Sequence, residues 1–344
     1  MNTPRVSVLM PVRDAEPWLN EALDSIVAQS ETDWELVAVD DGSNDSSRAI
    51  LENRARSDRR VSVISSGGRG LVAALNLGLE RARAPMLARM DADDIAGSRR
   101  LELQCAALDD DPQLFGVACR VVAHPPGAAG DGMQRYLDWQ NSLHTPEEIA
   151  RDRFIESPVL HPSVMMRTAP LREQLAGWQD RGWAEDWDLF LRALAAGLRI
   201  SRVDDPLLAW RVHDRQATRA DPRYTEERLL DCRAHHLSRH LCAAFSDRPV
   251  WILGAGPVGK SLCKALAGEG LEVGGLVDVD PRKVGGRVRA GRREWPVVAM
   301  ETLFDVTPRP FAVWAVGRPG GRAGLRALMR DRGWEEGHDF VCAA

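Results

Sequence analysis

The sequence has no C-x-x-C pair among its six cysteines, at positions 105, 119, 232, 242, 263 and 342. Neither a zinc knuckle nor a dense disulfide framework is indicated, and reduced thiols of a cytosolic protein are expected. No stretch reaches the roughly 18 apolar residues of a membrane span. The start, MNTPRVSVLMPV, lacks the basic and apolar regions of a secretory leader. A soluble, cytoplasmic chain is therefore expected. Positive excess is missing too: 45 Lys+Arg stand against 50 Asp+Glu, a formal charge of −5, which argues against a nucleic-acid partner. Lysine itself is almost absent, occurring only at Lys260, Lys264 and Lys283. Arginine carries the remaining positive charge and supplies planar groups able to grip phosphate or carboxylate.

What is present is an alternation. The 344 residues suggest two domains at roughly 150 residues each. Apolar runs at Val6 to Met10, Trp34 to Val39, Val61 to Ile64 and Met86 to Met90 alternate with amphipathic stretches at Trp18 to Gln29, Ile50 to Arg56 and Leu71 to Arg83. This rhythm predicts an α/β fold, an open, mostly parallel sheet with helices on both faces. Ligands of such sheets bind beyond the carboxyl ends of the strands. The polar residues that could do chemistry fall there: Arg13 and Asp14, Asp40 and Asp41, Ser65 to Arg69, then Asp91, Asp93 and Asp94. Residues 124–160 read as loop and short helix over that edge, a lid or acceptor-side segment. From Ala184 a helix places Trp187, Phe190, Leu191 and Leu194 on one stripe, and Gly197 stops it. Residues 1–215 form the expected first domain. Residues 216–247 read as a helical connector ending in SDRP, and 248–344 as a second βαβ domain.

Two acidic clusters carry the chemistry. In MDADD the carboxylates of Asp91, Asp93 and Asp94 crowd behind an apolar strand. Two carboxylates about 4 Å apart repel by about 4 kcal/mol at an effective dielectric near 20, so such a cluster calls for a cation or protons. Mg²⁺ or Mn²⁺, completing its shell with substrate phosphates, is one remedy, and a solvated acidic turn is the other reading. In VAVDDGSNDSS, Asp40 and Asp41 precede a tight turn at Gly42. Turn chemistry alone accounts for that composition, and an aspartate accepting hydrogen bonds from a base or ribose accounts for it equally.

Taken together, VSVLMPVRDAEPWLNEALDSIVAQ, VAVDDGSNDSS, MDADD and AEDWDLFLRA, in this order over residues 5–215, resemble the family 2 glycosyltransferases of GT-A fold. The resemblance implies a GT-A-type open mixed sheet, followed here by a smaller Rossmann-like α/β domain. It implies donor contacts at Pro11, Arg13 and Asp41. Asp91 would lie at the ribose, and Asp93 with Asp94 at a Mn²⁺ or Mg²⁺ ion on the diphosphate. The pair Glu185–Asp186 is similar to the family's ED motif, with Asp186 as catalytic base and Glu185 beside it among the substrate-binding residues. The implied activity is inverting transfer of a sugar from a nucleoside diphosphate sugar to a carbohydrate or glycolipid acceptor, in surface polysaccharide or glycoconjugate synthesis, with peripheral association at a membrane. Many members have an aromatic where Arg13 stands and Asn where Asp14 stands.

Asp186 also has a structural explanation, because acids favour the first turn of a helix. A helix N-terminus would depress its pKa and keep it weakly basic. In SPVLHPS, His161 is a candidate for the acceptor pocket. In WRVH, Arg211 is a candidate for phosphate, and His213 for the metal or the diphosphate. Arg69 and Gly70 sit before a helix where a Gly-rich turn and its amides could meet a phosphate, and a plain turn is the equal reading. Cys232, His236 and His240 share a helix spacing that fits a packed face better than a metal. The second domain carries GAGPVG after a strand, with Gly254, Gly256 and Gly259 followed by Asp278, the context of a dinucleotide site. Its glycines also serve close helix packing. A non-catalytic, regulatory nucleotide-binding protein whose tail senses a dinucleotide is the alternative function. A sugar-nucleotide pyrophosphorylase would need a glycine-rich basic loop that PVRDAEPWL does not supply.

Overall fold

A computed structural model describes residues 3–245, 248–318 and 320–344. Residues 1 and 2 of the opening segment, and Ser246 and Asp247 at the end of the expected connector, lie outside the described residues. The chain divides into two compact units. One comprises Met1–Ala150, Ser157–Arg181 and Glu185–Ala220, the other Arg151–Glu156, Gly182–Ala184 and Asp221–Ala344. No helix among the described residues is long and apolar enough to cross a membrane.

In the first unit, β1 (Val6–Val12), α1 (Glu16–Val27), β2 (Trp34–Asp40), α2 (Ser47–Ser57), β3 (Val61–Ser65), α3 (Leu71–Arg81) and β4 (Met86–Arg89) follow the alternation of the sequence. Every residue of β1 and β2 is buried, because helices cover both faces of a parallel sheet and both sets of alternating side chains must be apolar. Val6, Val8, Met10, Leu36 and Ala38 fill one core, while Leu9, Val37 and Val39 fill the other. Each fully buried Leu or Val contributes about 1.5–3 kcal/mol of transfer free energy.

Beyond β4 come β5 (Ile95–Ala96), α4 (Arg100–Asp110), β6 (Leu114–His124), α5 (Asp131–Asn141), α6 (Pro146–Asp152), β7 (Val164–Arg167), α7 (Thr168–Glu173), α8 (Glu185–Ala195), β8 (Arg199–Arg211) and α9 (Ala217–Ala220). The strand order is β3-β2-β1-β4-β7-β6-β8-β5. β1 to β4 are parallel, but β7 runs antiparallel to both β4 and β6, and β5 antiparallel to β8. The sheet is thus mixed, where the alternation alone suggested mostly parallel pairing. β7 enters from the 3₁₀ turn His161–Ser163 and not from a crossover helix. β1 pairs with β4 only as far as Leu9 opposite Arg89. Pro11, two residues on, faces the same side past the last rung, so its missing N–H costs the ladder nothing.

In the second unit α10 (Glu226–Phe245) precedes β9 (Val250–Leu253), α11 (Pro257–Gly268), β10 (Val273–Val277), β11 (Arg287–Ala290), β12 (Arg293–Val298), α12 (Met300–Asp305), β13 (Phe311–Trp314), α13 (Gly321–Asp331) and β14 (Phe340–Cys342). Their order is β11-β12-β10-β9-β13-β14, parallel apart from the β11–β12 hairpin. A Cβ on Gly259 would lie 1.8 Å from the Gly254 carbonyl oxygen, so α11 closes on β9 only with glycine there. Gly259→Ala is expected to destabilise this unit by about 3 kcal/mol. Calorimetric unfolding reads the loss. Gly256→Ala, whose Cβ would meet nothing within 4 Å, serves as the silent control.

Candidate active site

The carboxyl ends of β1, β2, β3 and β4 gather one acidic edge. At the end of β2, Asp41 is buried and its Oδ1 accepts hydrogen bonds from Ser66 Oγ at 2.5 Å and from the Gly70 amide at 3.1 Å. The Gly70 N–H is therefore spent on Asp41, which corrects the expectation that this turn offers its amide to a phosphate. Arg69 turns its Nε back to the Ser66 carbonyl at 2.8 Å. Asp41 Oδ2 faces the exposed Arg13 guanidinium at 3.7 Å. Gly42 makes the turn possible: its φ is +74°, and a Cβ would lie 3.1 Å from Gly68 Cα.

Behind β4, Asp91, Asp93 and Asp94 each present an oxygen within 4.8 Å of the others. Asp94 is buried; its Oδ1 accepts the Arg211 backbone N–H at 2.8 Å, and its Oδ2 has no hydrogen-bond partner among the described residues. Burial, then the charges of Asp93 and Asp91, push the Asp94 pKa well above the usual carboxylate value. Asp91 is raised as well, by burial and Asp93 against the attraction of Arg89. An orphaned oxygen on a buried carboxylate inside a cluster of three can be met by a cation or by a proton. Clustered carboxylates suit a hard ion such as Mg²⁺ or Mn²⁺.

Two buried arginines underlie the cluster. Arg89 forms an ion pair with Asp91. Burial works against its charge, but Asp91, Glu185 and Asp94 outweigh it and the guanidinium pKa is raised. Arg100 donates to the Arg89 carbonyl at 2.7 Å and to Gln104 Oε1 at 3.1 Å. Sequence reasoning missed both, although an arginine inside the apolar run MLARM was a readable signal for the first.

From the end of β8, Arg211 reaches the same edge, but its guanidinium is committed to the Asp93 carbonyl at 2.6 Å and to Glu21 at 2.5 Å. His213 Nε2 lies 2.8 Å from Asp93 Oδ2, and its Nδ1 accepts the Arg215 backbone N–H at 3.2 Å. That acceptance places the ring proton on Nε2, where it is donated to Asp93. Trp18 of α1, also missed in the sequence, stacks on the His213 ring with centroids 4.0 Å apart.

α8 brings Glu185 and Asp186, both buried, to this edge. Asp186 Oδ1 accepts the Trp187 N–H at 2.7 Å. Its pKa is raised, first by burial, with Asp91 adding to it and the Trp187 amide and Arg89 opposing. The expected depression by the helix N-terminus is overturned, because loss of solvation outweighs the amide and dipole contributions. His161 is buried, accepts the Trp178 Nε1–H at 2.9 Å on its Nε2, and turns Nδ1 towards Glu185 at 4.0 Å. Burial, helped by Arg89, lowers its pKa well below the ordinary value. The folded ring stays neutral while the unfolded ring protonates near pH 6.5. Stability should therefore fall as pH drops below about 6.5, by up to about 1.4 kcal/mol per pH unit from this group. Unfolding of His161→Gln between pH 7 and 5 should show a shallower slope than the native chain.

In the second unit, Asp278 at the end of β10 accepts the Ala255 N–H at 2.8 Å and pairs with Lys283 at 2.9 Å. Of the three glycines, Gly254 has φ +111° and Gly259 is demanded by packing, whereas the space beside Gly256 is open. Among the described residues, metal-ligand geometry occurs only at Asp91, Asp93 and Asp94, so Cys232, His236 and His240 do not form such a group.

The model of the family described as Glycosyl transferase family 2 matches residues 7–175. An uncharacterized glycosyltransferase of Haemophilus influenzae is 27% identical over 222 residues, covering 63% of this chain and 68% of that protein. A Bacillus subtilis protein named as a glycosyltransferase, EpsE, is 34% identical over 211 residues, covering 59% of this chain and 72% of its own length. Among solved structures, TarS of S. aureus in complex with UDP-GlcNAc aligns with a TM-score of 0.54 at 18% identity, covering 77% of this chain and 80% of that one. The mannosyltransferase PcManGT of Pyrobaculum calidifontis, in complex with GDP-Man and Mn²⁺, aligns with a TM-score of 0.51 at 23% identity, covering 78% and 70%. At these identities the structural likeness speaks to the fold.

Proposed function

Because this chain belongs to glycosyl transferase family 2 and is a glycosyltransferase, we propose that it is an inverting, metal-dependent enzyme moving a sugar from a nucleoside diphosphate to an acceptor hydroxyl. The acceptor is a carbohydrate or glycolipid of a surface polysaccharide or glycoconjugate. The work is done on the cytoplasmic side, with peripheral contact to a membrane where the acceptor is a lipid. The observation that carries the reading is the meeting of a cation-ready cluster, with its orphaned Asp94 oxygen, and a buried carboxylate of raised pKa at one sheet edge. The UDP-GlcNAc complex of TarS and the GDP-Man and Mn²⁺ complex of PcManGT support the donor class.

In this reading Asp41, beside Arg13 and Pro11, receives the base, and Asp91 the ribose. Asp93 and Asp94 would hold Mn²⁺ or Mg²⁺, joined by His213 Nε2 only where the ring proton moves to Nδ1 and the Arg215 N–H bond there is released; the ion would supply positive charge to the departing diphosphate. Asp186 keeps one oxygen on the Trp187 amide and offers the other to the acceptor hydroxyl. It takes the proton as that oxygen attacks the anomeric carbon, and the electrons of the breaking C–O bond leave with the nucleoside diphosphate. A single displacement from the opposite face inverts the configuration. His161 and Glu185 would border the acceptor, and the raised pKa of Asp186 makes it a better base than an exposed carboxylate. The test is a thermal-shift screen of UDP- and GDP-sugars with and without Mn²⁺. Metal-dependent stabilisation by at least one donor is expected, and its absence for all of them would reject the reading.

For the second unit, the open space at Gly256 beside α11, with Asp278 at the neighbouring strand end, supports a dinucleotide as ligand. Titration of the full chain with NAD⁺ tests that reading.

A further inference from the structure

A side-chain cation at the donor's diphosphate would add to the charge a metal supplies, and most arginines on the acidic edge are already engaged. Arg89 is paired with Asp91, Arg211 is held by the Asp93 carbonyl and Glu21, and Arg13 faces Asp41. Arg215 is different. It lies in the turn after β8, is exposed, and its guanidinium has no carboxylate or carbonyl partner among the described residues. It sits instead over the Trp18 ring, 4.9 Å from the centroid. The same indole stacks on His213, whose Nδ1 accepts the Arg215 backbone N–H and whose Nε2 meets Asp93. Trp18 therefore contacts both an uncommitted guanidinium and the imidazole next to Asp93. Gln216 Oε1 fixes the turn by accepting the His213 N–H at 2.9 Å.

Resting on the donor reading above, we propose that Arg215 is the protein's contact to the donor diphosphate and that Trp18 is its positioning residue. A guanidinium on an aromatic face can keep the N–H groups of its own plane free for a phosphate, because a cation–π contact uses the π surface and no N–H donor. An arginine paired edge-on with a carboxylate has already spent those donors. Arg211, the residue that the sequence nominates for phosphate, instead anchors the Asp93–Asp94 backbone and Glu21.

The test compares nucleoside diphosphates with their nucleosides, UDP with uridine and GDP with guanosine, by titration calorimetry in Mn²⁺ buffer. Arg215→Ala is expected to weaken the tighter-binding diphosphate about 10- to 100-fold, the range of one charge-assisted hydrogen bond or two, and to leave the nucleoside unchanged. Trp18→Leu should produce the same selective loss in smaller measure, and Trp18→Phe, which keeps an aromatic face, should restore most of it. Unfolding temperatures check that each variant folds, and Arg215, being exposed, should show no change. Equal affinity of native and Arg215→Ala protein for the diphosphate would overturn the assignment, and so would a parallel loss for the nucleoside. Native protein that binds none of the four compounds would remove the donor reading itself.

Discussion

Asp186→Asn is expected to lower kcat by about 10³-fold while leaving the affinity for the nucleotide-sugar donor unchanged, since a positioned base contributes about 10²–10⁴. The substitution is isosteric. The asparagine oxygen can still accept the Trp187 N–H that Asp186 Oδ1 accepts at 2.7 Å, so the start of α8 should hold. What is lost is the second oxygen's affinity for a proton. Donor affinity, resting on Asp41, Asp91 and the Asp93–Asp94 pair in this scheme, has no stake in that oxygen. Burial has raised the Asp186 pKa, so the base becomes protonated as pH falls through that raised value, and kcat/KM should decline on the acid side. The variant should lack this limb. Single-turnover kinetics with donor titration by calorimetry separate the two effects. Turnover within tenfold of native, or donor affinity falling in step with kcat, would dismiss Asp186 as the base.

The acidic edge was legible in the sequence for a physical reason. β1, β2 and β4 are covered on both faces, so they read as apolar runs, and each run ends where the first carboxylate must meet solvent or ligand. Asp41 and the Asp91–Asp94 cluster announce themselves by that transition. Strand order is not written locally. β7 lies beside β4 in the sheet although residues 90–163, β5 and β6 included, intervene in the chain, and only long-range pairing decides whether it runs parallel or antiparallel. The supporting shell was hidden for the same reason. Trp18 reads as one more apolar residue on α1, and nothing in its neighbourhood names His213. Arg211 is the converse case. Its type suggested phosphate, yet three-dimensional placement spends its guanidinium on Asp93 and Glu21. Asp186 shows how competing terms are settled: position in a first turn argued for a depressed pKa, and depth in the fold reversed the sign.

Asp93→Asn should abolish metal-dependent donor binding and, in the same protein, fail to lower the melting temperature of the metal-free form. The two outcomes share one cause. Asp93 is one of the charges that raise both Asp91 and Asp94, so neutralising it eases the crowding of those two carboxylates whenever no cation is present. Two unit charges about 4 Å apart repel by about 4 kcal/mol at an effective dielectric near 20. Asp93 is a quarter exposed and shares its Oδ2 with His213, so only a fraction of that repulsion is relieved by neutralising it. The amide keeps an oxygen for the His213 Nε2–H, which limits collateral damage to the Trp18 stack. The cation, by contrast, loses one of the anionic oxygens that make the site attractive. Altering outer-shell partners alone commonly weakens metals 10- to 100-fold, so removal of a ligand charge should reach at least about 100-fold. Mn²⁺ titration followed by electron paramagnetic resonance, paired with thermal unfolding with and without Mn²⁺ and UDP, reads both at once. A destabilised metal-free variant would mean that Asp93 is a structural acid whose partners need its charge. Unchanged Mn²⁺ affinity would mean that the cation, if it binds, is held elsewhere. The expected pair, no loss of fold and no metal response, is what a carboxylate retained for chemistry at the expense of stability should give.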